Sequence, residues 1–175
     1  MRYVIVSVVK GQAGDFNNDL RKEVYSKFKA RSSKLPAHFT IKAPFEYDGD
    51  ISGLEKAIEE VCNSSHGQPY NIKGYNHFDN RVIYMAVNMS KEGQLVHDNL
   101  IDAMEKFPYM EFRQGNGKDK IFHVTVSSKK IQSIYNDLWH YVNTKPCQFK
   151  CIFDNVSIYK WQDNTWKLYR EFLIK

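Results

Sequence analysis

The hydrophobic pattern along the chain switches repeatedly between two periods. Residues 2–9, with Tyr3, Val4, Ile5, Val6, Val8 and Val9, read as a buried central strand. Gly11 and Gly14 interrupt it, and Asp15 then precedes a helical pattern. In that pattern Leu20, Val24 and Phe28 recur every fourth residue, with Asp19, Arg21, Lys22 and Lys27 outside the stripe. Between Pro36 and Pro44 the period returns to two: Phe39, Ile41 and Ala43 take one face of a strand, His38, Thr40 and Lys42 the other.

Ser52, with Glu55 three positions on, forms a capping-box pattern ahead of a helix whose stripe is Leu54, Ala57, Ile58 and Val61. Residues 62–69, rich in Ser, Asn, Gly and Pro, read as a loop. Two strand-like runs, 70–78 and 81–89, flank Asp79-Asn80 and predict a hairpin. A third helix begins near Ser90 and carries Leu95, Leu100, Ala103, Met104 and Phe107; residues 108–120 then read as a flexible basic loop. In the run 121–127, His123, Thr125 and Ser127 share one face while Phe122, Val124 and Val126 share the other. A fourth helix over 131–142 uses Ile134, Leu138 and Val142, and two last strands are expected near 147–160 and 165–174.

Read circularly, this order contains one unit twice: hairpin material, a helix, a His-x-Thr strand and another helix. One copy spans 70–144; the other starts near 147, passes through the C-terminus and resumes at residue 2 to end near 65. The expected class is α+β and bilobal, a single domain over 1–175. Lobe A covers about 1–65 plus 147–175 and lobe B about 70–144, each burying one face of an antiparallel sheet under two helices. The opposite faces, with His38 and Thr40 or His123 and Thr125, are then free to line a shared cleft.

Composition changes this picture little. The 175 residues carry 25 Lys plus Arg against 20 Asp plus Glu, a net charge of +5 that permits an anionic partner without requiring one. A strongly acidic, calcium-buffering or purely solvating chain is excluded. Cys62, Cys147 and Cys151 are odd in number and sparse, so a reducing cytoplasm is expected rather than a disulfide framework. Cys147 and Cys151 share a strand face with Phe149 and Phe153 and read as core. No run approaches a membrane span, and the N-terminal apolar stretch is too short for a signal-peptide core.

The chemistry lies in the doubled His-x-Thr. One such tripeptide means little; two, each on an alternating strand flanked by helices, carry weight. Two imidazoles across a cleft can share proton work near neutral pH, one taking a proton from water and the other protonating the departing oxygen. Thr40 and Thr125 hydroxyls on the same faces can donate to non-bridging phosphate oxygens. No Cys, Asp or Glu stands near either motif in a zinc-like pattern, so no metal and no cofactor is expected. Such a set suits hydrolysis of a phosphodiester.

His38-Phe39-Thr40-Ile41 and His123-Val124-Thr125-Val126 resemble the paired H-x-T-x signatures of the 2H phosphoesterase superfamily, the LigT-like or 2′-5′ RNA ligase family. The leading strand Arg2-Tyr3-Val4-Ile5-Val6, Pro36 before the first motif, Pro44-Phe45 after it, and the 85-residue separation of the histidines fit its small bacterial members. The resemblance covers essentially the whole chain. It implies two RRM-like or ferredoxin-like halves around a central cleft, and metal-independent opening of a 2′,3′-cyclic or related cyclic phosphate on a nucleotide or RNA end. Reversible 2′-5′ RNA ligation is the family alternative, and a non-catalytic RNA-binding module the alternative from another class. By resemblance His38 looks like the general acid and His123 like the general base, the roles exchanging for ligation.

The remaining candidates are secondary. Lys42 and Ser127, each next along the polar face of a motif strand, are candidate phosphate contacts, and Tyr75 and Tyr84 candidate base-stacking residues. His66, His77, His97 and His140 lack a Thr partner and read as surface or helix-face residues. The substrate partner is a cyclic nucleotide or RNA terminus, and the protein reads as a monomer with no membrane partner.

Overall fold

The Val- and Ile-rich start of the chain forms β1 (Arg2–Val8), buried at Tyr3 through Val6. In the computed structural model, which describes residues 1–175, β1 lies inside the first of two four-stranded antiparallel sheets. Helix α1 (Gly11–Phe28) follows at once, starting four residues before Asp15, where the sequence pattern places its beginning. Gly14 permits this: a Cβ there would lie 2.1 Å from the Val9 carbonyl oxygen, so only glycine lets the first helical turn fold back on the strand end. The chain continues through β2 (His38–Glu46), α2 (Ser52–Asn63), the hairpin β3 (Gln68–Phe78) and β4 (Val82–Met89), and α3 (Lys91–Met104). It closes with β5 (His123–Ser127), a 3₁₀ turn at Gln132–Ile134, α4 (Tyr135–Asn143), β6 (Gln148–Phe153), β7 (Asn155–Gln162) and β8 (Thr165–Leu173).

The first sheet has the order β2-β1-β7-β8 and the second β5-β4-β3-β6, both antiparallel throughout. The two orders match strand for strand, with β2 opposite β5 and β1 opposite β4. The two His-x-Thr strands are therefore the equivalent edges, and these edges lie beside each other. The architecture is the expected bilobal α+β one, with two antiparallel halves around a cleft.

Four local expectations are corrected. The run 147–160 is two strands, and β6 pairs with β3 in the second sheet, so the segment 147–153 placed with lobe A belongs with the sheet of lobe B. The phase of burial shifts there from Phe153 to Val156 and Ile158. Asn155, whose side chain binds both the Val8 N–H and the Val8 carbonyl, hands the chain to the other sheet. Pro44 does not end its strand: β2 runs on to Glu46, because a proline is tolerated on an edge strand beside irregular register. Glu55 closes no capping box, since it accepts from Arg170 at 3.1 Å while Asp50 receives the Ser52 N–H at 3.0 Å.

Nor does each pair of helices cover its own sheet. α1 packs on β5 and β6 of the second sheet, α2 on β7 and β8 of the first, and α3 against α2 and β3. The crossed packing merges both lobes into one continuous core, with Phe39 edge-on to Tyr70, Phe122 and Phe153 at ring distances of 5.1–5.6 Å. No helix is long and apolar enough to cross a membrane.

Candidate active site

Alternation along the two edge strands puts Phe39 and Ile41, like Val124 and Val126, into the core, and leaves His38, Thr40, His123 and Thr125 half-buried on the opposite faces. Each histidine is fixed in the same way. His38 Nδ1 lies 2.7 Å from the Pro36 carbonyl oxygen, and His123 Nδ1 lies 2.8 Å from that of Ile121. A carbonyl can only accept, so each Nδ1 carries a hydrogen and each Nε2 is left as the nitrogen that can take or give a proton.

Thr40 and His123 line one cavity of about 390 Å³, together with Pro44, Phe78, Asn116, Asp119 and Lys120. His38 stands two residues along β2 from Thr40, near enough for a charge on His123 to disfavour its own protonation. Burial is the larger cause and pushes His38 down to about 4, against the hydrogen bond to Pro36; the Arg21 cation acts in the same downward direction. His123 is also lowered, first by burial and then by the Lys120 cation, with the Ile121 carbonyl opposing. Both imidazoles thus favour the neutral form near pH 7.

Helix α1 grips both motifs. Asn17 is fully buried and its Nδ2 donates to the Thr125 carbonyl at 3.1 Å; Asn18 Oδ1 accepts the Ala37 N–H at 3.1 Å, one residue before His38. Arg21 donates to the carbonyls of Ser33 and Leu35 at 2.7 and 3.0 Å and to the Ser32 hydroxyl at 2.8 Å, holding the segment that leads into β2. One rigid element therefore fixes the spacing of two strands 85 residues apart in sequence.

Other residues singled out in the sequence sit elsewhere. Register shifts on β2 break the alternation beyond Thr40, and Lys42 is 5% exposed with its Nζ donating to the Glu111 carbonyl at 2.8 Å. The ammonium lies over the Phe112 ring at 4.9 Å and borders a neighbouring cavity rather than that of His123. Ser127 is buried, and its hydroxyl donates to the Arg31 carbonyl at 3.0 Å, tying the end of β5 to the segment after α1. Tyr75 is half-buried with its hydroxyl on the Lys145 carbonyl at 3.1 Å.

Tyr84 does reach the site, 5.1 Å from the His123 ring, but it is 3% exposed and forms a wall with no free face for a base. His97 is fully buried on α3 with its ring edge-on to Phe122 at 4.8 Å, not on the surface. Sequence periodicity missed Phe78, whose ring meets His123 edge-on at 5.0 Å, and Lys120. Phe78 sits at the end of the hairpin strand, on the face it shares with Tyr84, and was discernible only once the β3–β4 register was known. Lys120 ends the basic loop three residues before His123, and its proximity in sequence was the one available signal.

Two imidazoles, each with a threonine two residues on, thus stand half-buried on the neighbouring edges of two equivalent sheets. The chain matches the family profile of the 2′-5′ RNA ligase superfamily over residues 11–165, and it belongs to that family, the LigT-like group of 2H phosphoesterases. Its fold is similar to that of TT0787 of Thermus thermophilus, with 12% identity, a TM-score of 0.67 and coverage of 99% of this chain and 98% of that one. It is similar also to LigT of E. coli crystallised with 3′-AMP, with 10% identity, a TM-score of 0.63 and coverage of 99% and 97%. A third solved structure, described as a phosphoesterase, shares 9% identity and a TM-score of 0.62 over 99% of this chain and 97% of its own. No curated protein matches the chain by sequence.

Proposed function

We propose that the protein opens a 2′,3′-cyclic or related cyclic phosphate on a nucleotide or an RNA end by two-histidine acid–base catalysis. The observation that carries this reading is the matched state of His38 and His123, each with Nδ1 spent on a carbonyl two residues back and Nε2 left for proton transfer. One neutral Nε2 accepts a proton from water as its oxygen bonds to phosphorus. The bond from phosphorus to one ribose oxygen breaks, and the other imidazole, protonated, gives that oxygen its proton. The product is a monoester, and each turnover leaves the two imidazoles with exchanged protonation states that solvent restores. Thr40 and Thr125 donate to the non-bridging oxygens, where charge builds in the transition state.

The family supports the mechanism, and the complex of E. coli LigT with 3′-AMP supports a nucleotide phosphate as the kind of group handled. The family's name favours ligation as the second reading: a 5′-hydroxyl in place of water bonds to the cyclic phosphate and gives its proton to one imidazole, while the 3′-oxygen leaves with a proton from the other, forming a 2′-5′ phosphodiester. The test is a panel of 2′,3′-cyclic nucleotides, ADP-ribose cyclic phosphate and RNA ends bearing cyclic phosphate, assayed with EDTA and with the product isomer identified. Turnover of at least one to a single monoester isomer, unchanged by EDTA, is expected. Inertness toward the whole panel, or activity abolished by the chelator, would sink the reading.

A further inference from the structure

Lys120 is the one cation lining the cavity that also holds Thr40 and His123. Its ammonium makes no hydrogen bond and no ion pair, unlike Lys118, which is paired with Asp102. Its chain neighbour Asp119 also lines the cavity, but that carboxylate is engaged by the backbone N–H groups of Gly115 at 2.7 Å and Gly117 at 3.4 Å. Lys42 on β2 faces it with a second positive charge, His123 on β5 and His97 on α3 feel its field, and Asp119 supplies the only attraction. A half-buried ammonium without a counter-ion, in the field of a second cation, favours a bound anion.

We infer that Lys120 binds a non-bridging oxygen of a phosphate or sulfate group seated against Thr40 and His123, as a specificity residue for anionic substrates outside the His-x-Thr pairs. The inference rests on reading the cavity as the site of phosphate chemistry. Burial, with Lys42 adding to it, lowers the Lys120 ammonium to about 8, so its charge is present at neutral pH and fades in mildly alkaline solution. An anion raises that value, which makes the Lys120 contribution to anion affinity complete below about 8 and falling above it.

Sulfate, which does not titrate between pH 6 and 10, is the probe. Its dissociation constant is measured calorimetrically for wild type, Lys120→Gln and Lys120→Arg, alongside kcat/KM on a cyclic nucleotide. Removing the charge should weaken sulfate binding and lower kcat/KM by about tenfold to a hundredfold, the worth of a charge-assisted hydrogen bond. Lys120→Arg should bind sulfate at pH 7 and hold it at pH 9.5, where wild type loses it. Equal sulfate affinity in wild type and Lys120→Gln overturns the inference; should that variant not fold, so does an identical alkaline decline in wild type and Lys120→Arg. If Lys120→Gln weakens sulfate but wild type turns over no cyclic phosphate, the anion site stands and the proposed activity falls. If turnover depends on both histidines while Lys120→Gln alters neither quantity, the activity stands and the anion site falls.

Discussion

The depressed basicity of His38 has a consequence for how the site is switched on. With the imidazole at about 4, roughly one molecule in a thousand carries a proton there at pH 7, far too few for an efficient general acid. A phosphate anion about 4 Å away, at an effective dielectric constant near 20, contributes about 4 kcal/mol, equivalent to about three pK units. Binding should therefore raise His38 from about 4 toward neutrality, so that substrate itself charges the acid. Linkage requires the converse: sulfate affinity should climb by up to about tenfold per pH unit as the pH falls from about 7 toward 4. Imidazole resonances followed by ¹⁵N NMR, with and without sulfate, read both quantities, and His38→Ala supplies the assignment. A free-state midpoint near 6.5, or one that does not move when sulfate binds, would refute the reasoning.

Other consequences are more local. His97 has neither ring nitrogen hydrogen-bonded, Nδ1 standing 3.5 Å from Asp98 Oδ1, and burial lowers it to about 4. His97→Leu should gain about 1 kcal/mol at pH 7 in urea unfolding, the relief of two orphaned nitrogens outweighing the edge-on ring interaction with Phe122. That gain should grow as pH falls from about 6.5 to 4, because the unfolded wild-type chain takes up the proton first and so loses stability in acid, while the Leu variant does not. A gap that narrows in acid would count against a buried, neutral His97. Ser127→Ala should cost about 1 kcal/mol through the missing hydrogen bond to Arg31 and leave sulfate affinity unchanged; weakened sulfate binding would restore Ser127 to the phosphate site. Asn17→Ala should lower kcat more than KM while destabilising the fold by about 1–3 kcal/mol, and an unaltered kcat would show that the Thr125 strand needs no support from α1.

The pattern of the chain carried the elements and the motif strands because both rest on local periodicity. Phe39 and Ile41, or Val124 and Val126, must enter a core, and their neighbours then face away. It failed where that periodicity is interrupted without a mark in composition. Lys42 follows a register shift on β2, so the rule that placed it beside Thr40 no longer held, and the carbonyl of Glu111 captured its ammonium. The β6–β7 junction is different: Asp154-Asn155 marks it, but the strand pattern resumes at once in the other sheet, so the two strands read as one. Lys120 and Phe78 enter the site through tertiary proximity alone, and α1 braces both motifs through Asn17, Asn18 and Arg21, which a helical wheel marks simply as polar.

Turnover of a 2′,3′-cyclic nucleotide by wild type, His38→Ala and His123→Ala, measured on folded protein in EDTA, tests the paired-imidazole site most directly. Each single substitution is expected to lower kcat by about 10²–10⁴-fold, as removal of a general acid or base does, with little change in thermal unfolding. Near-wild-type kcat in both variants would contradict the assignment of acid–base catalysis to this pair.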